Sequence, residues 1–420
     1  MSGMNFLEKL LDGVAVKWKT LEEVANFANG KGHEKDIIED GKYVVVNSKF
    51  ISTDGRVAKF SNIQICPLFK DDILLVMSDL PNGKALSKTF IVDAGDRYTL
   101  NQRIGGITVK NQGEILPKFL HCFLNRTPQL LKYDNGVDQT NLRKDQILGV
   151  KIPIPCPENP KKSLAIQAEI VRILDTFTAL TAELTAELTD RKKQYNYYRD
   201  RLLTFEKGEV EWKTLGEIGQ VRMCKRIFKS QTSSEGDIPF YKIGTFGKEP
   251  DAYISKSLFE EYKSKYSYPK IGEILISASG TIGRTVIFDG KDSYFQDSNI
   301  IWIENDESVV LNKFLFYFYQ IANWGISVGG TIQRLYNDNL RKLSIPIPYL
   351  SDPQKSLEEQ ARIVAILDKF DTLTHSISEG LPREIALRQK QYEYYRDLLL
   401  TFPKPEEVKA HLATVEKSDE

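Results

Sequence analysis

Polar side chains that can read the edges of nucleic-acid bases recur in two long segments of the 420-residue chain. Arginine pairs best with guanine, and the amides of asparagine and glutamine pair best with adenine. The candidates in the first segment are Asn47, Lys49, Ser78, Asn82, Lys84, Gln102, Arg103 and Gln139. The candidates in the second segment are Lys225, Arg226, Ser277, Ser279, Thr281, Arg284, Gln296, Asn299, Thr331, Gln333 and Arg334. Any one of these could be an ordinary solvated turn residue, but as a set they favour base readout.

The sequence carries no convincing catalytic motif. It lacks the Gly-x-x-x-x-Gly-Lys-Ser/Thr loop that holds the phosphates of a nucleotide, and it lacks the Asn/Asp-Pro-Pro-Tyr/Phe motif of amino-methyltransferases. Ser279 lies in a glycine-containing loop, but no histidine in its segment could act as its base. We therefore predict a chain without catalytic residues.

The cysteines and histidines do not have the spacing of a metal site. Two C-x-x-C pairs, or an equivalent set of four close ligands, would be needed for structural zinc. Only His121 and Cys122 are adjacent, and the sequence predicts no metal site. The full set is Cys66, Cys122, Cys156, Cys224, His33, His121, His375 and His411.

Composition excludes several classes of protein. The chain has 57 Lys+Arg and 57 Asp+Glu, so it is neither a simple basic DNA-coating protein nor an acidic disordered one. With 41% hydrophobic residues it can bury substantial cores. No apolar stretch approaches the ~20 residues of a membrane span, and no signal peptide is readable. We expect a cytoplasmic protein.

An internal duplication organises the chain. Ile152–Pro155 recurs as Ile345–Pro348 at an offset of 193, and the same offset aligns residues 162–180 with 355–373 at 12 of 19 identical positions. A second block, residues 191–205, matches 388–402 at 12 of 15 positions. The tetrapeptide Trp-Lys-Thr-Leu also occurs twice, at 18–21 and 212–215. Between these blocks, residues 22–150 and 216–341 barely resemble each other, which is typical of one part that positions and another that specifies.

The repeated blocks have the pattern of long helices that pack on one another. Apolar residues spaced alternately by three and four predict a coiled-coil seam. Ser163 and Ser356 are predicted N-caps, the latter with Glu359 in a capping box. The seam comprises Ile170, Ile173, Phe177, Leu180, Leu184 and Leu188, and then Ile363, Ile366, Phe370, Leu373 and Ile377.

Two further patterns complete the predicted architecture. Thr-Ala-Glu-Leu occurs twice in succession, at 181–184 and 185–188, and each copy adds about 6 Å of helix, so the unit can serve as a ruler. The dissimilar segments read as mixed α/β domains because short apolar runs alternate with turn residues. The predicted strands are Tyr43–Val46, Ile73–Met77, Ile274–Ser277, Thr285–Phe288 and Ile300–Ile303.

Over its whole length the chain resembles the DNA-specificity (S) subunits of type I restriction–modification systems, and most closely the IC-like subfamily with Thr-Ala-Glu-Leu repeats. The Ile-Pro-Ile-Pro segments, the repeat at Leu180–Leu188 and the twin helix ends Gln194–Asp200 and Gln391–Asp397 carry this resemblance. The family often has a Glu-Gln pair near the start of the helix. Glu359-Gln360 keeps that pair, and Ile166-Gln167 departs from it.

The resemblance implies a fold and a set of partners. The fold is α+β: two mixed α/β target-recognition domains, separated by two long conserved helices that form an antiparallel intramolecular coiled coil with pseudo-twofold symmetry. Each domain would read half of an asymmetric bipartite site in double-stranded DNA, and the helices would set the spacer. Two modification subunits would use S-adenosylmethionine to methylate adenine, and restriction subunits would use ATP and Mg. This chain itself would bind no cofactor.

The expected domain limits follow from the repeats. They are a conserved segment at 1–21, recognition domain 1 at 22–155, a helical spacer at 156–211, recognition domain 2 at 212–348, a second helical region at 349–403 and a tail at 404–420. Two alternatives remain open from the residues alone: a scaffold with tandem binding domains, and a self-contained DNA-modifying enzyme with unrecognised motifs.

Overall fold

The fold was examined in a computed structural model, which describes residues 15–81, 83–206, 210–325, 334–376 and 378–402. The chain divides into two compact units. Unit 1 comprises residues 1–183 and 386–420, and unit 2 comprises residues 184–385. Each unit therefore contains one dissimilar segment together with one copy of each repeated helical block.

The strands are short and the helices vary widely in length. Strands β1–β11 are Val16–Thr20, Ala25–Asn29, Tyr43–Val46, Lys59–Ser61, Ile73–Val76, Ser78–Asp79, Thr89–Ile91, Tyr98–Leu100, Ile104–Val109, Thr140–Asn141 and Lys151–Pro155. Strands β12–β20 are Val210–Thr214, Gly219–Arg222, Ile238–Tyr241, Tyr253–Ile254, Ile274–Ser277, Thr285–Ile287, Tyr294–Phe295, Ile300–Asn305 and Ser344–Pro348. Helices α1–α6 are Leu21–Val24, Ser48–Ser52, Pro117–Leu124, Pro128–Leu131, Lys144–Leu148 and Pro160–Leu203. Helices α7–α12 are Leu215–Ile218, Lys256–Lys265, Asn312–Tyr319, Asn337–Lys342, Pro353–His375 and Gly380–Leu400.

The two dissimilar segments share one topology despite their different sequences. Unit 1 has a four-stranded sheet of order β2-β9-β5-β7 and a three-stranded sheet of order β4-β3-β8. Unit 2 repeats this arrangement as β13-β19-β16-β17 and β15-β14-β18. All five predicted strands are confirmed within two residues of their limits.

The four-stranded sheets are buried on both faces, which explains their continuous apolar runs. In β5, Ile73 and Leu75 belong to one apolar cluster and Leu74 and Val76 belong to another. In unit 2, Leu275 likewise faces the cluster opposite to that of its neighbours on β16. One cluster in each unit includes the repeated helices, so the sheet packs directly on them.

In each unit, the strand that carries Trp-Lys-Thr pairs with the strand that carries Ile-Pro-Ile-Pro. In unit 1, β1 runs antiparallel to β11, with Trp18 opposite Pro153. In unit 2, β12 pairs with β20 in the same register, with Trp212 opposite Pro346. Proline is tolerated in such two-stranded ribbons because one edge of each strand needs no ladder hydrogen bond. Each ribbon joins the beginning of its domain to the end, next to the long helix.

The first helical region is continuous and the second is not. Helix α6 spans 44 residues without a break. The second region divides into α11, which ends at an extended Ser376, and α12, which begins at Gly380. Gly380 has a φ of +70°, and a Cβ there would lie 2.4 Å from the carbonyl oxygen of Thr372, so only glycine fits this reversal. The second of the two expected long helical regions is therefore two shorter helices in succession. The interruption falls where the repeat alignment requires four extra residues.

Within each unit, the two repeated blocks pack antiparallel through a matched pair of stacked rings. In unit 1, Phe177 stacks on Tyr395 with ring centres 5.1 Å apart. In unit 2, the equivalent Phe370 stacks on Tyr198 at 5.4 Å. The antiparallel direction in unit 2 follows from a second contact, since Tyr195 meets His375.

The predicted seam is only part of the buried face. Ile170 and Ile363 are buried, and Ile377 lies outside the described residues. The remaining predicted positions are half-buried: Ile173, Phe177, Leu180, Leu184, Leu188, Ile366, Phe370 and Leu373. Deeper burial occurs on a neighbouring stripe that packs against the four-stranded sheet, formed by Ile166, Val171 and Leu174 in unit 1 and by Val364 and Leu367 in unit 2.

The helices begin earlier than predicted. The side chain of Asn159 accepts a hydrogen bond from the Lys162 amide, and Asp352 does the same for Lys355. Ser163 and Ser356 are therefore not N-caps, and the predicted capping box at Ser356 is wrong as well. Both serines lie inside the first turns, where they are buried.

A buried glutamine fastens the α/β domain of each unit to its helix. Gln167 is 0% exposed; its amide nitrogen donates to the Glu114 carbonyl and the Ser163 hydroxyl, and its oxygen accepts from the Leu116 amide. We call this set of contacts the clamp. Both amide hydrogens and the amide oxygen of the buried side chain are hydrogen-bonded, which offsets the free-energy cost of burying a polar group.

The same clamp recurs in unit 2. Gln360, also 0% exposed, donates to the Val309 carbonyl and the Ser356 hydroxyl and accepts from the Leu311 amide. In both units the clamped backbone lies between the end of a central strand, β9 or β19, and the helix that follows. We call this end of each four-stranded sheet the clamp end.

The clamp yields a stability prediction. Replacing Gln360 with alanine leaves the Leu311 amide and the Val309 carbonyl without partners, so we expect the free energy of unfolding to fall by about 2–4 kcal/mol. Gln354, exposed on the same helix, provides the matched control, and Gln354→Ala should change it by less than about 0.5 kcal/mol. Urea denaturation of the full chain measures both. Equal losses in the two variants would contradict the clamp.

A second prediction concerns pH. Burial lowers the pKa of His121 to about 4, although Asp175 acts to raise it. An unfolded chain gains a proton on this ring near pH 6.5, whereas the folded chain does not. The free energy of unfolding should therefore decrease as the pH falls from 6.5 towards 4, and His121→Gln should reduce that slope. An unchanged slope in urea melts across this range would refute the prediction.

Candidate nucleic-acid interface

Many of the predicted base-reading residues that the structure describes lie at or near the end of each four-stranded sheet opposite the clamp end. In unit 1, the Met77 amide donates to the Arg103 carbonyl at 3.0 Å, and the Leu142 amide donates to the Met77 carbonyl at 2.8 Å. These bonds bring three separate turns together where β5 ends and β9 begins. We call this the loop end.

Unit 2 builds the loop end in the same way. The Ala278 amide donates to the Asn299 carbonyl, and the Leu335 amide donates to the Ala278 carbonyl, both at 2.7 Å. Strand β13 also ends here, because Arg222 lies opposite Trp302 of β19. One backbone framework thus presents two different sets of side chains.

Several of the predicted base-reading side chains in unit 1 form hydrogen bonds within the protein. Asn47 caps α2 by accepting from the Phe50 amide. Ser78 is buried, and its hydroxyl accepts from the Gln139 side chain at 2.8 Å. The side-chain amide of Gln102 donates to the Glu34 carboxylate at 2.7 Å, although Gln102 itself remains exposed.

Three of the predicted basic readers lie at or near this loop end and are available to a ligand. Lys49, Lys84 and Arg103 are exposed, and their side chains have no polar partner within the described part of the chain. Asn82, between them in sequence, lies outside the described residues. Free cations next to fixed polar groups are what a DNA phosphate or a guanine edge requires.

An aspartate that sequence reasoning missed organises the loop carrying Lys84. Asp79 accepts from the amides of Leu80, Ala85 and Leu86 at 2.7–3.0 Å. The only sequence signal is an aspartate placed directly before the turn residues Leu-Pro-Asn-Gly. This loop is therefore pre-shaped, while its lysine stays exposed.

In unit 2, the serine-rich loop is largely self-bonded. Ser277 is buried and bridges the Thr281 carbonyl and the Arg284 amide. Ser279 donates to the side-chain oxygen of Asn299 at 2.8 Å. Gln296 accepts from the Ile243 amide. These groups shape the loop rather than face a ligand, whereas the exposed Thr281 makes no such bond through its hydroxyl within the described part of the chain.

The cations of unit 2 differ in how far they are neutralised. Arg226 pairs with Asp297 at 3.0 Å, and Lys225 lies over the ring of Tyr266 at 5.1 Å. The half-buried Arg284 donates to the Phe246 carbonyl. Arg334 is exposed, and one of its guanidinium N–H groups donates to the Ser298 carbonyl at 3.1 Å. Thr331 and Gln333 lie outside the described residues.

The cysteines and histidines do not assemble a site. His121 shares a hydrogen bond with the Thr89 hydroxyl at 3.0 Å, and burial raises the pKa of the neighbouring Cys122 thiol to about 12. Burial raises the pKa of Cys224 to about 12 as well. Among the described residues, no three potential metal ligands cluster, and no helix is long and apolar enough to cross a membrane.

Comparison with known proteins identifies the duplicated architecture. The family model described as the type I restriction modification DNA specificity domain matches the chain twice, over residues 14–191 and 207–387. A putative type I restriction enzyme specificity subunit of Haemophilus influenzae is 49% identical over 409 residues, covering 94% of this chain and 98% of that protein. A type I restriction enzyme specificity subunit of Escherichia coli is 38% identical over 435 residues, covering 97% and 100%.

Solved structures agree on the fold. The S subunit of a type I restriction-modification system from M. genitalium has a TM-score of 0.53 and 15% identity, and it covers 94% of this chain and 98% of its own. A chain from a structure on complex assembly of the type I R-M system has a TM-score of 0.54 and 18% identity, with coverage of 92% and 97%.

The loop organised by Asp79 can be tested directly. Asp79→Ala removes the acceptor of three amides, so we expect a loss of about 1–3 kcal/mol and faster hydrogen exchange at Ala85 and Leu86. Asp138, exposed in a neighbouring loop, supplies the control, and its alanine variant should leave those amides protected. Protected amides in Asp79→Ala would show that the carboxylate does not hold the loop.

Proposed function

The chain belongs to the type I restriction-modification DNA specificity subunits, the non-catalytic components that recognise DNA, and from this premise we propose how it reads its target. Each unit reads one half of a split target in double-stranded DNA through its loop end. The observation that carries this proposal is the shared backbone framework with different exposed cations, Lys84 and Arg103 in one unit and Arg334 in the other. Because the two units present different exposed side chains on the same backbone framework, we expect the two half-sites to differ in sequence and the whole target to be asymmetric.

We assign the chemistry of modification and restriction to partner subunits. Two modification subunits would bring S-adenosylmethionine and methylate adenine, and restriction subunits would bring ATP-driven translocation and cleavage with Mg. The neutral charge of the chain fits such sharing, because the partners can supply part of the grip on the phosphates. The complex would act in the cytoplasm.

The helical regions would set the distance between the half-sites and dock the modification subunits. We propose that 156–211 is the spacer and that 22–155 and 212–348 are the recognition domains. The segments 1–21, 349–403 and 404–420 complete the division. From the tandem Thr-Ala-Glu-Leu units we also propose membership of the IC-like subfamily, and two units rather than three would give the shorter of its spacers.

The function is tested by mapping methylation in a methylation-free host. Expressed with its modification subunit, the chain should direct adenine methylation to a single split, asymmetric motif, and methylation should disappear without it. Exchanging residues 22–155 for the same segment of another family member should change one half-site only. If an active partner modifies no chain-dependent motif, the chain is a scaffold rather than a DNA reader.

The spacer role gives a separate prediction. Inserting one more Thr-Ala-Glu-Leu after Leu188 adds about 6 Å of helix, so the unread gap should lengthen while both half-sites stay unchanged. Thr185→Gln alters the same exposed stretch without changing its length, and it should preserve the gap. Methylation mapping reads both outcomes. A changed half-site in the insertion variant would contradict the ruler.

A further inference from the structure

We propose that Arg103 reads a guanine in the half-site bound by unit 1. This inference deepens the proposed function and rests on it. The proposal depends on three properties of one turn: its backbone is fixed by neighbouring segments, its arginine occupies a conformation that the fold has to enforce, and the guanidinium is left without a partner in the described part of the chain.

The turn that joins β8 to β9 is held from several sides. The backbone amide of Asn101 donates to the Val46 carbonyl. The backbone amide of Gln102 lies within hydrogen-bond distance of both the Lys31 carbonyl and the side-chain oxygen of Asn101. The Arg103 carbonyl accepts from Met77. The side chain of Gln102 is tied to Glu34. Backbone of this kind can hold a reading side chain with little loss of entropy on binding.

Arg103 has a φ of +66°, in the left-handed region that favours glycine. Such a residue is retained only where the surrounding structure enforces it, and these positions cluster at binding sites. Arg126 is the other described arginine with positive φ, at +60°, but it donates to the Leu86 carbonyl and has a role inside the fold. Arg103 has no such internal role for its side chain.

The chemistry of the free group selects the base. A guanidinium presents two parallel donors that match the O6 and N7 acceptors of guanine in the major groove, whereas an ammonium is a point charge. Lys49 and Lys84, two exposed lysines near this loop end, are therefore better suited to phosphates. Glu34, a carboxylate from another loop that contacts this turn, accepts a hydrogen bond from the Gln102 side chain and forms no ion pair with Arg103 within the described part of the chain.

The test compares four variants of the full chain, each expressed with its modification subunit in the methylation-free host. Arg103→Ala and Arg103→Gly should make one guanine position of the unit 1 half-site degenerate, with discrimination reduced roughly tenfold to a hundredfold. Arg103→Lys keeps the charge and should relax the same position. The unit 2 half-site should not change. Arg97→Ala removes an exposed arginine that pairs with Asp93, and it should leave the motif intact.

The glycine variant guards against misfolding, because glycine adopts this φ without strain. Exchange of residues 22–155 identifies which half-site belongs to unit 1. A half-site without guanine there, or variants that lower methylation of every site equally and reduce the salt dependence of binding, would overturn the proposal and make Arg103 a phosphate contact. If the unchanged chain directs no motif at all, the proposed function fails instead.

Discussion

The arrangement of each unit depends on one buried amide. Gln167 and Gln360 occupy equivalent places in the two helical blocks, and each satisfies the backbone that links a central strand to the next helix. A second fastener lies nearby in each unit, since Lys118 pairs with Asp175 and Lys313 with Asp368. The exposed ion pairs contribute little by themselves, so the buried glutamine sets the position of the domain on its helix.

This clamp separates positioning from reading. The central strands β9 and β19 begin at the loop end and finish at the clamp end, so side chains can change at one end without disturbing the other. The two units bear this out: their sheets share one order, yet their exposed cations differ. A chain with 57 positive and 57 negative side chains can still offer free cations, because many of its charges are paired within the fold and a few at the loop ends are not.

Features of the structure that depend on sequence repeats or on the periodic spacing of apolar residues could be predicted from the sequence. The duplicated blocks and the seam positions Phe177 and Phe370 follow from spacing, and strands β5, β16 and β19 follow from their apolar runs, whereas the central strand β9 was not predicted. Three features could not be found in that way. The break before α12 depends on the left-handed φ of Gly380, the true helix starts depend on Asn159 and Asp352, and the burial of Ser78 and Ser277 depends on contacts between distant segments. Polar residue type selected side chains that the fold gathers largely at the loop ends, but it did not distinguish hydroxyls and amides that build the loops from cations that remain free.

The most direct test of the account is photo-crosslinking from defined positions to target DNA in the complex with the modification subunit. A crosslinking residue at Lys84 or Thr281, exposed at the two loop ends, should label DNA, each in a different half-site. The same residue at Lys110 or Asp306, exposed at the clamp ends, should not label it. Equal labelling from both ends, or labelling from the clamp ends alone, would contradict the claim that each unit reads DNA through the end of its sheet opposite the buried glutamine.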